Sequence, residues 1–364
     1  MREQNDVPLS TLMTMRVGGP AARLVTVETT DELVDAVREV DDADEPLLVV
    51  SGGSNLLVAD EGFAGTVVHV ATSGVTPESA DLCGGAVVRV AAGEDWDGLV
   101  EQAVVEGWAG IEALSGIPGR TGATPIQNVG AYGQDVSQTI WSVRTWDRRE
   151  QAVRTFAGPD CGFGYRHSRF KGSDRYVVLD VVFQLEVADL SRPIAYAALA
   201  DGLGVPLGTR VPLSDARAAV LEQRRSRGMV LDAADHDTWS CGSFFTNPVL
   251  EAHEFDRLVE RAAARLGTGD GAALAAGSTP PRYPERDGRV KTSAAWLIDR
   301  AGFAKGHGLP GPAALSSKHT LAVTNRGDAT TADVLALARE VRDGVQDAFG
   351  VRLVNEPVLV GEEL

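Results

Sequence analysis

The first half of the chain alternates between apolar runs with strand spacing and segments with helical spacing, which predicts a β-α-β beginning. Thr29 and Glu32 form a capping-box pattern, so we expect a short helix over residues 31–40. Asp95 is the expected N-cap of a second helix over residues 95–106. Short apolar runs bounded by turn residues predict strands over residues 47–50, 66–70 and 86–92.

Helical spacing dominates the second half, after a predicted pair of strands and one long apolar strand. Residues 141–146 and 152–156 predict a hairpin-like pair, and residues 176–185 predict a central strand. Residues 191–212 contain three prolines and Tyr196, which is typical of a connecting loop or excursion. Later segments predict helices over residues 215–225, 254–266, 293–301 and 331–349, and strands over residues 243–246 and 321–324.

Composition indicates a folded protein with an acidic surface. The chain has 364 residues, 44% hydrophobic and 23% charged, which predicts two or three packed units. Its net charge of -17 disfavours nucleic acid as the main partner. Cys83, Cys161 and Cys241 are widely spaced, which argues against a disulfide framework or zinc site, so we expect no metal. No apolar run approaches the ~18 residues of a membrane span, so we expect a cytoplasmic protein without membrane insertion.

Two glycine-rich stretches are candidates for binding phosphate. Residues 51–55, SGGSN, follow a predicted strand, and successive amides of such a turn can face a phosphate, although a plain tight turn explains them equally well. Residues 116–133 read GIPGRTGATPIQNVGAYG and combine glycines, polar donors and apolar anchors, which favours an ordered loop around a ligand over a flexible linker. Two such turns suggest a dinucleotide as the ligand; the alternative is a purely structural glycine loop.

Three other segments carry candidate chemical groups. Residues 163–171, FGYRHSRFK, form a basic segment that suits an anion, although a solvated basic turn explains it as well. Ser243 lies beside two aromatic residues, but no Ser-His-Asp arrangement supports a hydrolase, and a strand-end serine is the simpler interpretation. Glu356 lies in a predicted apolar strand over residues 354–358, where burial would raise its pKa; the alternative is an ordinary edge-strand glutamate.

Taken together, these stretches resemble the UDP-N-acetylenolpyruvoylglucosamine reductase family, in its looped (type I) subclass. The resemblance covers nearly the whole chain and rests on ordered motifs: RVGGP from Arg16, SGGSNLL from Ser51, IPGRTGATPIQNVGAYG, FGYRHSRFK, GSFFTNP, residues 290–298 and Asn355-Glu356. It implies an α+β fold, with a two-lobed vanillyl-alcohol-oxidase-like FAD-binding module and a third α+β substrate-binding domain. The expected parts are lobe 1 (1–75, with a C-terminal return over 350–364), lobe 2 (76–190), a substrate-covering loop (191–214) and the substrate-binding domain (215–349).

The resemblance also implies the cofactors: non-covalent FAD, with NADPH as co-substrate. The implied FAD-binding residues come from the two glycine-rich stretches and are Gly52, Gly53, Ser54, Asn55, Leu56, Pro118, Gly119, Gly122, Thr124, Gln127, Asn128, Gly130, Ala131, Tyr132 and Gly133.

The reaction implied by the resemblance is reduction of UDP-N-acetylglucosamine enolpyruvate to UDP-N-acetylmuramate for peptidoglycan, and hence for cell-wall growth and division. Hydride passes from NADPH to FAD and then to the substrate. Arg166 and Glu356 are then expected to polarise the substrate carboxylate, and Ser243 to protonate the enolate-like carbon. The implied substrate contacts, in an enzyme that we expect to be monomeric, are Tyr196, Arg227, Asn247 and His319.

Two other classes of protein are alternatives to this reductase. An oxidase with covalently attached FAD would need a histidine near a flavin loop, and neither SGGSN nor IPGRTGATPIQNVG contains one. A non-catalytic binder of nucleotide sugars would not need a buried acid paired with a proton donor. A flavin spectrum that NADPH bleaches distinguishes these classes from the expected reductase.

Overall fold

The computed structural model describes residues 1–267 and 279–364. Their contacts divide the chain into two compact units, each of which is discontinuous in sequence. Unit 1 comprises Met1–Leu12, Pro20–Gly53 and Gly62–Leu231, and unit 2 comprises Met13–Gly19, Ser54–Glu61 and Asp232–Leu364. The helix expected to open the third domain therefore belongs to unit 1. Residues 268–278, which were assigned to the expected substrate-binding domain, lie outside the described residues.

The first sheet of unit 1 combines parallel and antiparallel pairing. Its strand order is Arg2–Pro8, Pro20–Val27, Phe63–Val70 and Leu47–Val50, and only the first pair is antiparallel. The helix Thr30–Asp42 connects two of these strands, and the Thr29 hydroxyl accepts a hydrogen bond from the Glu32 amide, which confirms the predicted cap. No strand was predicted over residues 2–8 or 20–27.

The second sheet of unit 1 is antiparallel and surrounds a long buried strand. Its order is Ala152–Ala157, Ile140–Asp147, Tyr176–Val187, Gly85–Ala91 and Val75–Asp81, and Trp108–Ala109 also pairs with the end of Tyr176–Val187. Tyr176–Val187 is buried over most of its length, which confirms the predicted central strand. Val75–Asp81 is mostly exposed, and no strand was predicted over these residues.

Helices cover the apolar faces of unit 1. Trp96–Val105 begins at the N-cap Asp95, as predicted, and places Trp96 against Phe183 of the central strand. Residues 191–212 were expected to be a connecting loop or excursion, but they contain the short helix Ala197–Leu203. This helix and the following helix, Leu213–Arg225, share an apolar cluster of Ala113, Ile194, Leu199, Ala200, Val211, Ala216 and Val220.

Unit 2 is built around the long helix Thr331–Phe349, which has buried residues along its length. Thr330 and Asp333 form its capping box, and Gly350 ends it at a φ of 71°. The other helices that the pattern predicted are present as Ala252–Leu266 and Ala294–Ala301, with Ser293 as N-cap of the latter. Short paired strands complete this unit: Leu56–Val58 with Val358–Val360, Val249–Leu250 and Tyr283–Pro284 with Val290–Lys291, and Ala313–Leu315 with Val323–Asn325.

Two strand predictions in unit 2 are wrong. Residues 243–246 are not a strand, because their backbone bonds to two different segments: the Phe244 amide donates to Leu321 O and the Thr246 amide to Val354 O. Residues 354–358 are not a strand either, and the observed strand begins only at Val358, after a proline that has no amide to donate.

Among the helices of residues 1–267 and 279–364, none combines the length and the apolar character that crossing a membrane requires.

Candidate functional site

The first glycine turn of unit 1 packs tightly against the second glycine-rich stretch. It follows the strand Leu47–Val50, and a Cβ added to Gly52 would lie 2.6 Å from the Cα of Gly119. Gly53 has a φ of 54° and Gly119 a φ of 121°. Glycine is therefore required here both for space and for backbone conformation.

The loop over residues 116–133 is ordered by hydrogen bonds from its own backbone. The Thr121 amide donates to Glu94 O at 2.9 Å and the Gly122 amide to Ala92 O at 2.8 Å. A Cβ on Gly122 would lie 2.6 Å from the Cβ of Ala92. After Pro118 and this anchor, Thr124 begins a short helix that ends at Gln127.

The end of this loop is a tight hairpin, in which Gly130–Ala131 pairs with Gln134–Asp135. Asn128 has a φ of 45°, and its side chain donates to Gly164 O at 2.9 Å and accepts from the Ser137 amide at 3.2 Å. Tyr132 and Gly133, at the turn, have φ values of 50° and 89°. We call residues 130–135 the glycine hairpin.

The basic segment over residues 163–171 packs on this loop. The guanidinium of Arg166 donates to Gly130 O at 2.9 Å, and Ser168 Oγ donates to Ile126 O at 2.8 Å. Lys171 Nζ donates to Arg166 O at 3.1 Å, and Arg166 has a φ of 49°. These contacts give the half-buried Arg166 a defined position beside the glycine hairpin.

The residues of unit 1 fit the pyrophosphate of a dinucleotide such as FAD. A Cβ on Gly52 would clash with backbone atoms of Gly119, where the two glycine turns meet, and a Cβ on Gly122 would clash with Ala92. Glycine turns of this kind expose backbone to a ligand at close range, and amides in successive turns suit a phosphate. Ser54, Asn55 and Leu56, which continue the first turn, belong to unit 2.

Within unit 2, backbone hydrogen bonds bring Ser243 and Glu356 together. The Glu356 amide donates to the O atom of Phe244, the residue after Ser243, at 2.8 Å. Asn55 Nδ2 donates to Glu356 O at 3.3 Å, and the Val358 amide donates to Asn55 O at 2.9 Å. Ser243 and Glu356 are both half-buried, and both lie in irregular backbone that this network holds in place.

The other predicted residues of unit 2 have structural contacts. Asn247 Oδ1 accepts from the Ala294 amide at 3.0 Å, at the start of the helix Ala294–Ala301. The His319 amide donates to Ser316 Oγ at 3.3 Å. Cys241 is buried, its Sγ is 3.4 Å from Leu56 O, and burial raises its pKa to about 12. The thiol is therefore protonated at neutral pH.

In unit 1, Tyr196 and Arg227 lie near the glycine hairpin. The Tyr196 ring is 41% exposed and makes an edge contact with Tyr132, with ring centroids 5.3 Å apart. The Arg227 amide donates to Arg224 O at 3.1 Å. Arg224 is buried, and desolvation lowers the pKa of its guanidinium to about 10. Burial raises the pKa of the Tyr132 hydroxyl.

Several charged residues that organise these segments were not predicted from the sequence: Glu112 and Asp237 are buried, and Asp97 is half-buried. Glu112 accepts three hydrogen bonds, Asp97 accepts two from Arg217 and one from the Gly116 amide, and Asp237 accepts from Arg326 and from Ser317. Glu112 lies just before the glycine-rich loop in sequence, and this proximity is the signal that could have marked it. In residues 1–267 and 279–364, no three His, Cys, Asp or Glu side chains are gathered as metal ligands would be.

Comparisons with known proteins cover both halves of the chain. Residues 21–155 match the family model described as "FAD binding domain", and residues 233–360 match "UDP-N-acetylenolpyruvoylglucosamine reductase, C-terminal domain". The chain is 59% identical over 359 residues to the UDP-N-acetylenolpyruvoylglucosamine reductase of Thermobifida fusca, covering 99% of this chain and 98% of that protein. It is 56% identical over 366 residues to the reductase of Streptomyces coelicolor, covering 100% and 92%.

A crystal structure agrees with these matches. The UDP-N-acetylenolpyruvylglucosamine reductase of Thermus caldophilus aligns over 99% of both chains, with a TM-score of 0.64 and 26% sequence identity. Its fold and the FAD-binding family model confirm the predicted α+β class with an FAD-binding module. The long matches at high identity confirm the resemblance that the motifs indicated, and this chain therefore belongs to the UDP-N-acetylenolpyruvoylglucosamine reductase family of oxidoreductases.

Proposed function

We propose that this protein uses NADPH to reduce the enolpyruvyl ether of UDP-N-acetylglucosamine enolpyruvate to UDP-N-acetylmuramate, in the cytoplasm and as a monomer. The observation that carries the proposal is the 2.8 Å hydrogen bond from the Glu356 amide to Phe244 O, which holds the backbone of Glu356 against the residue that follows Ser243. Family membership supplies the substrate class, and Glu356 and Ser243 supply an acid and a hydroxyl, which are groups that the chemistry needs.

FAD is the proposed cofactor, and when bound it would supply the two-electron redox chemistry that links NADPH to the substrate. Gly52, Gly53, Ser54 and Asn55 are the proposed contacts from the first glycine turn. In the second stretch, the proposed contacts lie within residues 118–133, whose backbone amides, hydroxyls and side-chain amides are suitable partners for a dinucleotide.

Arg166 and Glu356 are the proposed residues that polarise the substrate. Reduction of the enolpyruvyl double bond moves negative charge toward the adjacent carboxylate, and a fixed guanidinium stabilises that charge as it develops. The hydrogen bond from Arg166 to Gly130 O supports this role, because it limits the reorganisation that the guanidinium needs.

Ser243 is the proposed proton donor. After hydride adds to one carbon of the enolpyruvyl double bond, the other, enolate-like carbon must gain a proton, and the Ser243 Oγ–H supplies it. The hydroxyl loses this proton in the same step, so it must regain one from solvent or a neighbour before the next turnover. Ser243 is half-buried, and the next residue, Phe244, is held at both backbone groups: its amide donates to Leu321 O and its carbonyl accepts from the Glu356 amide. These bonds support a fixed position for the donor.

Tyr196, Arg227, Asn247 and His319 are the proposed contacts to the UDP part of the substrate. Tyr196 is 41% exposed and rests on Tyr132, so its ring has a free surface for a ligand and a packed edge. The guanidinium of Arg227 suits a diphosphate by charge and geometry.

The test is to measure the two half-reactions separately in Ser243→Ala. NADPH should still bleach the flavin at the wild-type rate, because no proton from Ser243 takes part in that step. Reoxidation by the enolpyruvyl substrate should slow by on the order of a hundred-fold, as expected for loss of a general acid. Ser243→Cys should retain more activity than Ser243→Ala, since a thiol can also donate a proton.

The matched control is Ser79→Ala, which removes a hydroxyl from an exposed strand of unit 1 and should leave both half-reactions unchanged. Equal loss of both half-reactions in Ser243→Ala would contradict the proton-donor role. Acid precipitation should release the flavin, and flavin that stays on the chain would support the covalent oxidase instead. A purified protein without flavin would support the non-catalytic binder.

A further inference from the structure

Glu112 is a buried carboxylate that the proposed mechanism does not use. Its side chain belongs to a short turn, Glu112–Leu114, before the glycine-rich loop, and the residue is only 2% exposed. Among the contacts of the described residues, all three of its hydrogen-bond donors are neutral. A buried carboxylate is costly unless such donors satisfy it, so this arrangement requires a reason.

The three donors come from three different segments of unit 1. The Gly110 amide donates to Oε2 at 2.6 Å, while Gln134 Nε2 and the Arg192 amide donate to Oε1 at 2.9 Å and 2.7 Å. Gln134 belongs to the glycine hairpin, and Arg192 is the second residue of the 191–212 segment. One carboxylate therefore joins the proposed flavin-binding hairpin to the start of the proposed substrate-covering segment.

Other contacts between the glycine hairpin and the 191–212 segment depend on the relative position that Glu112 gives them. A Cβ on Gly133 would lie 2.9 Å from the Cβ of Ala195, and Tyr132 meets Tyr196 edge-on at 5.3 Å. The Ser191 amide donates to Val211 O at 2.8 Å, which ties the two ends of the covering segment together at the point where Glu112 holds it. Moving the base of the segment would therefore move Tyr196.

We infer that Glu112 is a positioning residue, which sets Tyr196 over the substrate by fixing the covering segment to the glycine hairpin. This inference rests on the proposed function for its substrate. A carboxylate suits the position because it accepts at both oxygens and donates at neither. Glutamine places an NH₂ group against at least one of the three N–H donors in either orientation of its amide.

Glu112→Gln tests this inference against a matched control. The variant should raise the KM for UDP-N-acetylglucosamine enolpyruvate by about tenfold, with kcat reduced much less and bleaching of the flavin by NADPH near the wild-type rate. The control Glu106→Gln makes the same chemical change at an exposed position after the helix Trp96–Val105, and it should keep the wild-type KM. Equal losses in KM, kcat and flavin content, or an unchanged KM, overturn the inference.

A double-mutant cycle tests whether Glu112 acts through Tyr196. Tyr196→Ala should raise KM in the wild-type background and raise it less in Glu112→Gln, because both changes disturb the same contact. Fully multiplicative effects would show that Glu112 does not act through Tyr196. If Glu112→Gln fails to fold, Gln134→Ala removes the side-chain link from the hairpin, together with the bond that Gln134 Oε1 accepts from the Ala113 amide, and keeps the bond from the Arg192 amide. This variant should raise the same KM by a smaller factor, and an unchanged KM overturns the inference.

A structural readout separates this inference from the proposed function. Arg210 is exposed near the end of the covering segment, so trypsin should cleave after Arg210 faster in Glu112→Gln than in Glu106→Gln or the wild type. Equal cleavage rates overturn the role of Glu112. A wild-type protein that binds FAD but never reduces the enolpyruvyl substrate overturns the proposed function, whatever the cleavage pattern.

Discussion

The contact between Gly52 and Gly119 is a part of the proposed flavin site that leaves no room for a side chain. Alanine at position 52 would bring its Cβ to 2.6 Å from the Cα of Gly119, 3.0 Å from its carbonyl carbon and 3.2 Å from the Arg120 nitrogen. All three neighbours are backbone atoms, so no side chain can move aside. Gly52 is absent from the residues with positive φ, so the substitution tests space rather than backbone conformation.

The cost of Gly52→Ala follows from that distance. Carbon atoms in good contact are about 3.5 Å apart, so the two backbones must separate by about 0.9 Å. Overpacking of this kind costs about 1–3 kcal/mol. If the displacement of the turn weakens the binding of the pyrophosphate by a similar free energy, the Kd for FAD rises by about tenfold or more, since about 1.4 kcal/mol is a factor of ten.

The assay is FAD titration of the apoprotein, followed by flavin fluorescence, beside the flavin-to-protein ratio after purification. The matched control is Gly202→Ala: its Cβ would lie 3.5 Å from the flexible end of Gln223, it is not among the residues with positive φ, and it should keep the wild-type Kd. A wild-type Kd in Gly52→Ala, with an unchanged melting temperature, would refute the reasoning. It would mean that the two turns separate freely or that FAD binds elsewhere.

Two further predictions concern buried titratable groups. Hydrogen bonds from Arg175 hold the pKa of Asp147 down to about 2, so the stability from this pair is complete above the unfolded value of about 3.9 and is lost as pH falls toward 2. Calorimetry should show the wild-type Tm falling more steeply than that of Asp147→Asn between about pH 4 and pH 2, and equal slopes would contradict the pairing. Burial raises the pKa of Cys161 to about 11 and of Cys241 to about 12, so iodoacetamide at about pH 8 should label only the exposed Cys83 in the native protein, as mass spectrometry can determine. Labelling of Cys241 at the rate of Cys83 would contradict its burial.

Helices and central strands were predictable from the sequence because their signals are local. Thr29 caps its helix through the Glu32 amide three residues later, and Gly350 ends the last helix in a left-handed conformation. Tyr176–Val187 has apolar residues on both faces because both faces are buried. In each case the residues that determine the element lie within it or beside it.

Strands whose partners are distant were predicted less well. Arg2–Pro8 is almost entirely exposed and polar, and it is a strand because its backbone pairs with Pro20–Val27. The apolar residues at the end of Pro20–Val27 were a usable strand signal from which no strand was predicted. For residues 243–246 a strand was predicted where none exists. The aromatic residues of this run favoured a strand, but its backbone hydrogen bonds go to two separate segments.

The sequence by itself determined the helices, the central strand, the glycine turns and, through its motifs, the family. The requirement for glycine at position 52 comes from tertiary structure alone, because Gly52 and Gly119 are distant in sequence and touch only after folding. Tertiary structure also decided the place of Glu112, whose three donors come from residues 110, 134 and 192. The physical reason is the same in both cases: close packing and the satisfaction of buried charge depend on partners that the chain brings together from far apart, and local patterns carry no record of those partners.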